Sequence, residues 1–395
     1  MSSKIEFFPV DNGDMTLISL ESGKKILIDV HIRDISADEN IPDVAKMLRE
    51  RLSRDSNNRL YVDVFLLSHP DKDHLGGLSD NFHLGSLETW NEDEDKIIIR
   101  EMWSSPIIFR QKSRVSDQQG LAQDAMDWWN EARRRIKAYR DNDGLLDGNR
   151  ILVLGDDIEE KTKGLDDIRI AVGDSFNTIC GTEDSTFSAD LFGPIPAQGD
   201  EEDEDALAKN RSSVITRFHI ASSGNQDKCL FLSGGDAEVL VWEHLWDMFK
   251  DIPEKLSYDL LQTPHHCSFH SLSHDSWSEM GKSVTISDKA RNALGQARSS
   301  ASIVASCKPI SDDDNDPPCV RAEREYKKIA EEVGGEFLCT MAPSNTGKPD
   351  VLVFKIDDDN SEPKSYPSSG PITPIVSRLK PPTGEFDKKG GGRYA

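Results

Sequence analysis

The chain has 395 residues, 36% of them hydrophobic, and a formal net charge of −24. That supplies a full core for one or two domains, and the acidic balance argues against tight nonspecific polyanion binding. Six cysteines at 180, 229, 267, 307, 319 and 339 form no CxxC pair, which excludes a zinc ribbon or disulfide scaffold and points to a reducing compartment.

In chain order, apolar runs predict strands near 4–10, 14–20 and 25–30, then a helix near 40–53. Met1-Ser2-Ser3-Lys4 leads directly into the first strand with no signal-like apolar stretch. No run reaches the length of a membrane span, so the expectation is a cytoplasmic chain with no membrane partner. A strand over 61–67 ends in Ser68-His69-Pro70-Asp71-Lys72-Asp73-His74-Leu75-Gly76-Gly77. Here His69, Asp71, Asp73 and His74 fall within six residues. They cannot share one face of a strand or helix, but a tight loop lets them converge on a cation. A core would not tolerate them unpaired.

Residues 98–110 read as extended. Gln118 to Arg140 reads as a helix with Trp128, Trp129, Ile136 and Tyr139 on its apolar side. Its basic end contains Arg133, Arg134, Arg135 and Lys137, which suits either a helix C-terminus or contact with nucleic-acid phosphates. Strands are expected near 150–154, 168–173, 212–220 and 228–233. The last of these ends in Gly234-Gly235-Asp236, ahead of a helix near 237–249. Asp236 therefore has two readings, helix N-cap or ligand. Leu260 and Leu261 lead into Pro264-His265-His266-Cys267-Ser268. A strand at 302–306, a helix at 320–333 and strands near 335–340 and 350–355 complete the core. Acidic stretches at 91–95, 200–205 and 312–314 read as solvated linkers. The segment 357–395, rich in Pro, Gly, Ser and charge, reads as a flexible tail. Strand blocks with intervening helices suit a two-sheet sandwich flanked by helices.

Three strand ends thus each deliver acids or histidines, a joint pattern that favours a metal centre. The order H-x-[HD]-x-D-H-x-G-G, then G-D, then a late His resembles the metallo-β-lactamase fold. With Asp71 at the third motif position, the chain is most similar to the hydrolase domain of the DNA-uptake competence protein ComEC. Val10-Asp11-Asn12-Gly13-Asp14, Lys25 to Asp29, Asn210 to Ile215 and Pro264 to Ser268 extend the likeness over about residues 4–355. The chain also departs from that pattern. Ser188 to Pro194 holds no His where many di-metal relatives supply one, and Asn315-Asp316-Pro317-Pro318 lacks a late His-Pro. One metal position is therefore expected to be short of protein ligands.

The resemblance implies an α/β fold, an αββα sandwich of two mixed sheets, with residues 1–356 as one hydrolase domain carrying a helical insertion around 84–165. It implies one or two divalent ions, Zn or Mn. His69 and Asp71 would hold one; Asp73, His74 and His266 the other, with Asp236 bridging. Carboxylates shift the balance toward Mn. Asp14 and Asp29 would orient ligand histidines or shape strand ends. Asp73 and His265 would act on the substrate, in a metal-dependent hydrolysis of phosphodiester bonds in a nucleic acid or nucleotide. Hydrolysis of a small ester, lactone or phosphocholine compound is the alternative. A third reading is a ligand-depleted binding subunit that meets a protein partner through its acidic loops or tail.

Overall fold

The computed structural model describes residues 2–34, 41–109, 123–142, 144, 146–157, 160–195, 213–344 and 347–356, and the backbone of 364–367. Two large sheets lie face to face. The first runs, strand by strand, Arg169–Ile170, Arg150–Leu154, Ile97–Ser104, Leu60–Leu66, Lys25–Ile28, Thr16–Ser19, Ser3–Phe7, Leu352–Ile356 and Lys364–Pro367. The second runs Ser175–Phe176, Phe187–Gly193, Ile215–Ser222, Asn225–Ser233, Tyr258–Gln262, Ala297–Ala305 and Glu336–Cys339.

Both sheets are mixed. Lys25–Ile28, Leu60–Leu66, Ile97–Ser104 and Arg150–Leu154 are mutually parallel, while the strands on the other flank are antiparallel. The second sheet likewise changes from antiparallel to parallel at Asn225–Ser233. Parallel strands covered on both faces need unbroken apolar runs. Leu60–Leu66 meets that demand with six of its seven residues buried. Its one buried acid, Asp63, accepts from Lys25 N and Arg100.

Three apolar layers hold the sandwich. Phe7, Ile18, Val64, Phe218, Phe231 and Phe354 are among the residues that fill the space between the sheets. Helices Val44–Arg49 and Gln123–Arg140 cover the outer face of the first sheet through Leu48, Trp128, Trp129 and Ala132. Helices Val239–Phe249, Asp288–Leu294 and Val320–Glu332 cover the second through Trp242, Ala293 and Tyr326. This is the αββα sandwich of two mixed sheets.

Several expectations change in detail. The region around 84–165 is no appendage, because its strands Ile97–Ser104 and Arg150–Leu154 are members of the first sheet. The acidic stretch 91–95 is not merely solvated: Asp95 receives both Arg49 and Arg54. Asp312 pairs with Arg324. Within the expected tail, Lys364–Pro367 adds an edge strand to Leu352–Ile356. The acidic stretch 200–205 and the rest of the tail lie outside the described residues. Among the described residues, no helix is long and apolar enough to cross a membrane.

Candidate metal centre

The candidate ligands leave from the C-terminal ends of parallel strands. Leu60–Leu66 leads to His69, Asp71, Asp73 and His74; Asn225–Ser233 leads to Asp236; and Tyr258–Gln262 leads to His265 and His266. Local backbone demands are severe. Gly235 has φ +49, and a Cβ there would meet Ser68 at 3.0 Å. His265, His266 and Cys267 have φ of 51, 51 and 67, three successive residues in a left-handed region that costs each of them energy. That kink is tied down by Asp316, which accepts from Phe269 N. It delivers both imidazoles to one carboxylate.

Asp236 lies at the focus, 3% exposed. Its Oδ1 is 3.1 Å from His74 Nε2 and 3.7 Å from His266 Nε2. Its Oδ2 is 3.3 Å from His69 Nε2 and 3.7 Å from His265 Nε2. The helix Val239–Phe249 starts after Glu238, so Asp236 does not cap it. Two groups of side chains offer donor atoms close enough for one ion each: Asp14, His74, Asp236 and His266, and His69, Asp73 and His74. Asp71 stands at the rim, its Oδ2 4.0 Å from His69 Nε2.

Hydrogen bonds behind the ring nitrogens set their direction. Asp29 Oδ2 lies 2.7 Å from His74 Nδ1, and Asp29 also accepts from Ser68 N and Ser68 Oγ. Ser68 Oγ is in turn 3.1 Å from His69 Nδ1. With its hydroxyl proton given to Asp29, that oxygen is an acceptor for the His69 ring. Asp14 Oδ1 lies 3.3 Å from His266 Nδ1, a close ionic approach rather than an aligned hydrogen bond, and His266 Nε2 lies 3.1 Å from Asp73 Oδ2.

The donor set fits a divalent cation. Nε2 of His69 and His74, with Oδ1 of Asp236, are buried and lack an aligned hydrogen-bond partner although they face one another. Nitrogen and oxygen atoms converging on one buried point are what a cation would satisfy. Without a cation, protons do so instead. Burial works against charge on His74, yet Asp236 and Asp29 raise its pKa well above the ordinary value. His266 is raised to about 10, against its burial, by Asp236 and Asp14. Asp236, despite burial, is held well below the usual carboxylate range by His69, His74 and His266. Metal and protons therefore compete for one place.

The remaining expected site residues divide. Arg135 is 1% exposed; it binds Glu131, Ile99 O and Arg150 O, which corrects its reading as a phosphate contact. Arg134 is committed to Glu131, Asn149 and Gly148 O. Arg133 lies over the Trp129 ring. Lys137 is exposed and pairs with Asp141. Asp190, in the stretch that lacks a His, is tied to Arg217 and His219 instead. Two residues escaped the sequence reading. Ser68 looked like the end of a strand, and its link to Asp29 spans 39 positions. His31, whose ring lies against Gly13 and Gly76, carried no motif signal.

No family model and no curated protein sequence matches the chain. Among solved structures, the crystal structure of unliganded yeast PDE1 aligns with a TM-score of 0.36 and 11% identity, covering 86% of this chain and 97% of that one.

Proposed function

We propose that the protein is a metal-dependent hydrolase of phosphodiester bonds, with a nucleic acid or nucleotide as substrate, similar to a free-standing ComEC-type hydrolase domain. The observation that carries this reading is the placement of Asp236. Each of its oxygens faces a different pair of imidazoles, the arrangement of a carboxylate shared by two cations.

In this reading His69, Asp71 and Asp236 would hold one ion, and Asp73, His74, His266 and Asp236 would hold the other. Imidazoles mixed with this many carboxylates accept Mn²⁺ as well as Zn²⁺. Bound there, divalent cations would lower the pKa of a water and offset the charge that develops on phosphorus. Asp29 and Ser68 keep the ring nitrogens of His74 and His69 directed inward. Asp14 does the same for His266. The open side is formed by Asp71 and Asp73, each with 35% of its side chain exposed, and by His265 with 20%. On that side Asp73 would take a proton from an attacking water, and His265 would donate to a substrate oxygen. His69, His74 and His266 form a floor that excludes bulk water, with 1% exposure or less.

The test is metal content by elemental analysis after Mn²⁺ or Zn²⁺ loading, together with turnover of bis-p-nitrophenyl phosphate against p-nitrophenyl acetate. Metal at or above one ion per chain and preference for the diester are expected. Preference for the acetate would shift the reading to ester hydrolysis, and absence of metal would remove both.

A further inference from the structure

We propose that His31 is a substrate-positioning residue of this centre, holding an anionic oxygen of the substrate on the open side of Asp73. The inference rests on the hydrolase reading above.

His31 ends the short strand Val30–His31, two residues after Asp29. It pairs with Gly76, and Ile32 N donates to Gly76 O. Its backbone is thus fixed to the loop that carries Asp73 and His74. The ring fills a slot made by two glycines. A Cβ on Gly13 would lie 2.0 Å from His31 Nδ1, and one on Gly76 3.0 Å from Cδ2. The same Gly13 position is 2.8 Å from Asp73 O. Both loops of the candidate centre have therefore given up a side chain where this imidazole sits. Gly13 is itself braced from behind, since Ser306 Oγ donates to Gly13 O.

Nothing among the described residues explains the ring's polarity. Nδ1 is shut away without a hydrogen-bond partner among the described residues. Asp29, Asp14 and Asp73 face His74 and His266. An apolar side chain of the same shape would serve packing better, because an unpaired buried polar atom is a cost. With Nδ1 facing Gly13 and no acceptor, the ring proton belongs on Nε2. The His31 side chain is partly exposed, so Nε2 is the nitrogen left to meet a ligand. The exposed side chains of the rim include two acids, Asp71 and Asp73, which repel an anionic substrate. A donor fixed to the loop that carries Asp73 offsets that repulsion. Arg33, two residues on, is not free for the task, because its guanidinium is bound to Asp11 at 2.5 Å.

The experiment uses the full chain loaded with Mn²⁺ and compares wild type, His31→Ala and His31→Gln. Gln can return an N–H near the position of Nε2. Three quantities are read: metal content, kcat and KM on bis-p-nitrophenyl phosphate, and inorganic phosphate affinity by calorimetry. We expect unchanged metal content in both variants. His31→Ala should raise KM and weaken phosphate binding by about tenfold, and His31→Gln should recover part of each. Wild-type KM and phosphate affinity in His31→Ala would overturn the proposal. Loss of metal in step with activity would overturn it too, since His31 would then support the ligands alone. If wild type fails to cleave the diester yet binds phosphate in a His31-dependent way, the hydrolase reading falls and the anion site stands. If wild type does neither, both fall.

Discussion

Asp29 and His74, 45 residues apart, meet at 2.7 Å inside a crevice where both are fully shielded from solvent. Asp29 adopts φ 54 to do so, and it also accepts from Ser68 N and Oγ. One carboxylate thus fixes the loop backbone, the Ser68 hydroxyl and the tautomer of His74. The consequence appears on the far side of the ring, where Nε2 reaches Asp236.

Replacing Asp29 by Asn should therefore act through His74. The amide cannot accept from Ser68 N, Ser68 Oγ and His74 Nδ1 together. Loss of such an orienting carboxylate typically weakens metal binding by about 10- to 100-fold. Competition with a chromogenic chelator would measure it. An affinity equal to wild type would show that Asp29 only shapes the strand end.

Asp236→Asn tests the shared ligand. The change keeps size and removes charge, and Asn caps helices about as well as Asp. Since Asp236 faces four imidazoles rather than the first turn of Val239–Phe249, the variant should lose metal. Diester turnover should fall by at least ~10²-fold. Retained turnover at full occupancy would take Asp236 out of the centre.

Much of this candidate centre was legible because its candidate ligands cluster locally. His69 to His74 span six positions on one loop, so their convergence needs only a strand end and a turn. Asp236 was ambiguous because cap and ligand look alike in sequence; only the position of Glu238 at the helix start separates them. Arg135 was left open between a helix end and a phosphate contact for a related reason. A basic run at a helix end resembles a surface, but Glu131 and Arg135 fall on the helical stripe that also buries Trp128 and Ala132. Apolar runs located most strands to within a few residues. Phe187–Gly193 went unmarked, since Asp190 interrupts its pattern and finds its partners, Arg217 and His219, across the sheet. His31 was invisible because its meaning lies in two distant glycines.

The cluster around His219 gives a pH dependence away from the metal centre. Its Nε2 lies 2.9 Å from Asp190 and its Nδ1 2.6 Å from Asp227. Burial opposes charge on the ring, but the two carboxylates raise its pKa above the ordinary value. A raised folded pKa stabilises the fold fully below the unfolded value of about 6.5 and is lost as pH rises through the folded one. His219→Gln should therefore lower the melting temperature near pH 6 and converge on wild type in more alkaline solution. The loss should be about 1 kcal/mol or less, because Asp227 is largely exposed and solvent screens the pair. A difference that grows with pH would contradict the assignment.

The helix Gln123–Arg140 separates a structural arginine, Arg135, from a surface lysine, Lys137, only two residues further along the same basic run. Arg135 donates to Glu131 at 2.7 Å and to Ile99 O and Arg150 O at 2.9 and 3.0 Å. It thereby ties the helix to the edges of two sheet strands. Arg135→Ala removes the guanidinium and leaves two carbonyls and part of the Glu131 charge buried. Breaking one partner of a buried pair costs about 3–5 kcal/mol, so denaturant unfolding should show a large loss. Glu131→Gln combined with Arg135→Met should cost less than Arg135→Ala alone, since it leaves no buried charge unpaired. Lys137→Glu, at an exposed position, should change stability by no more than about 0.5 kcal/mol. If nucleic acid reaches this edge, the same variant should shallow the salt dependence of DNA binding by about one phosphate contact. An unchanged salt slope would assign Lys137 to solvent and Asp141 alone. A mild effect of Arg135→Ala would instead reopen the basic end of the helix as a binding surface.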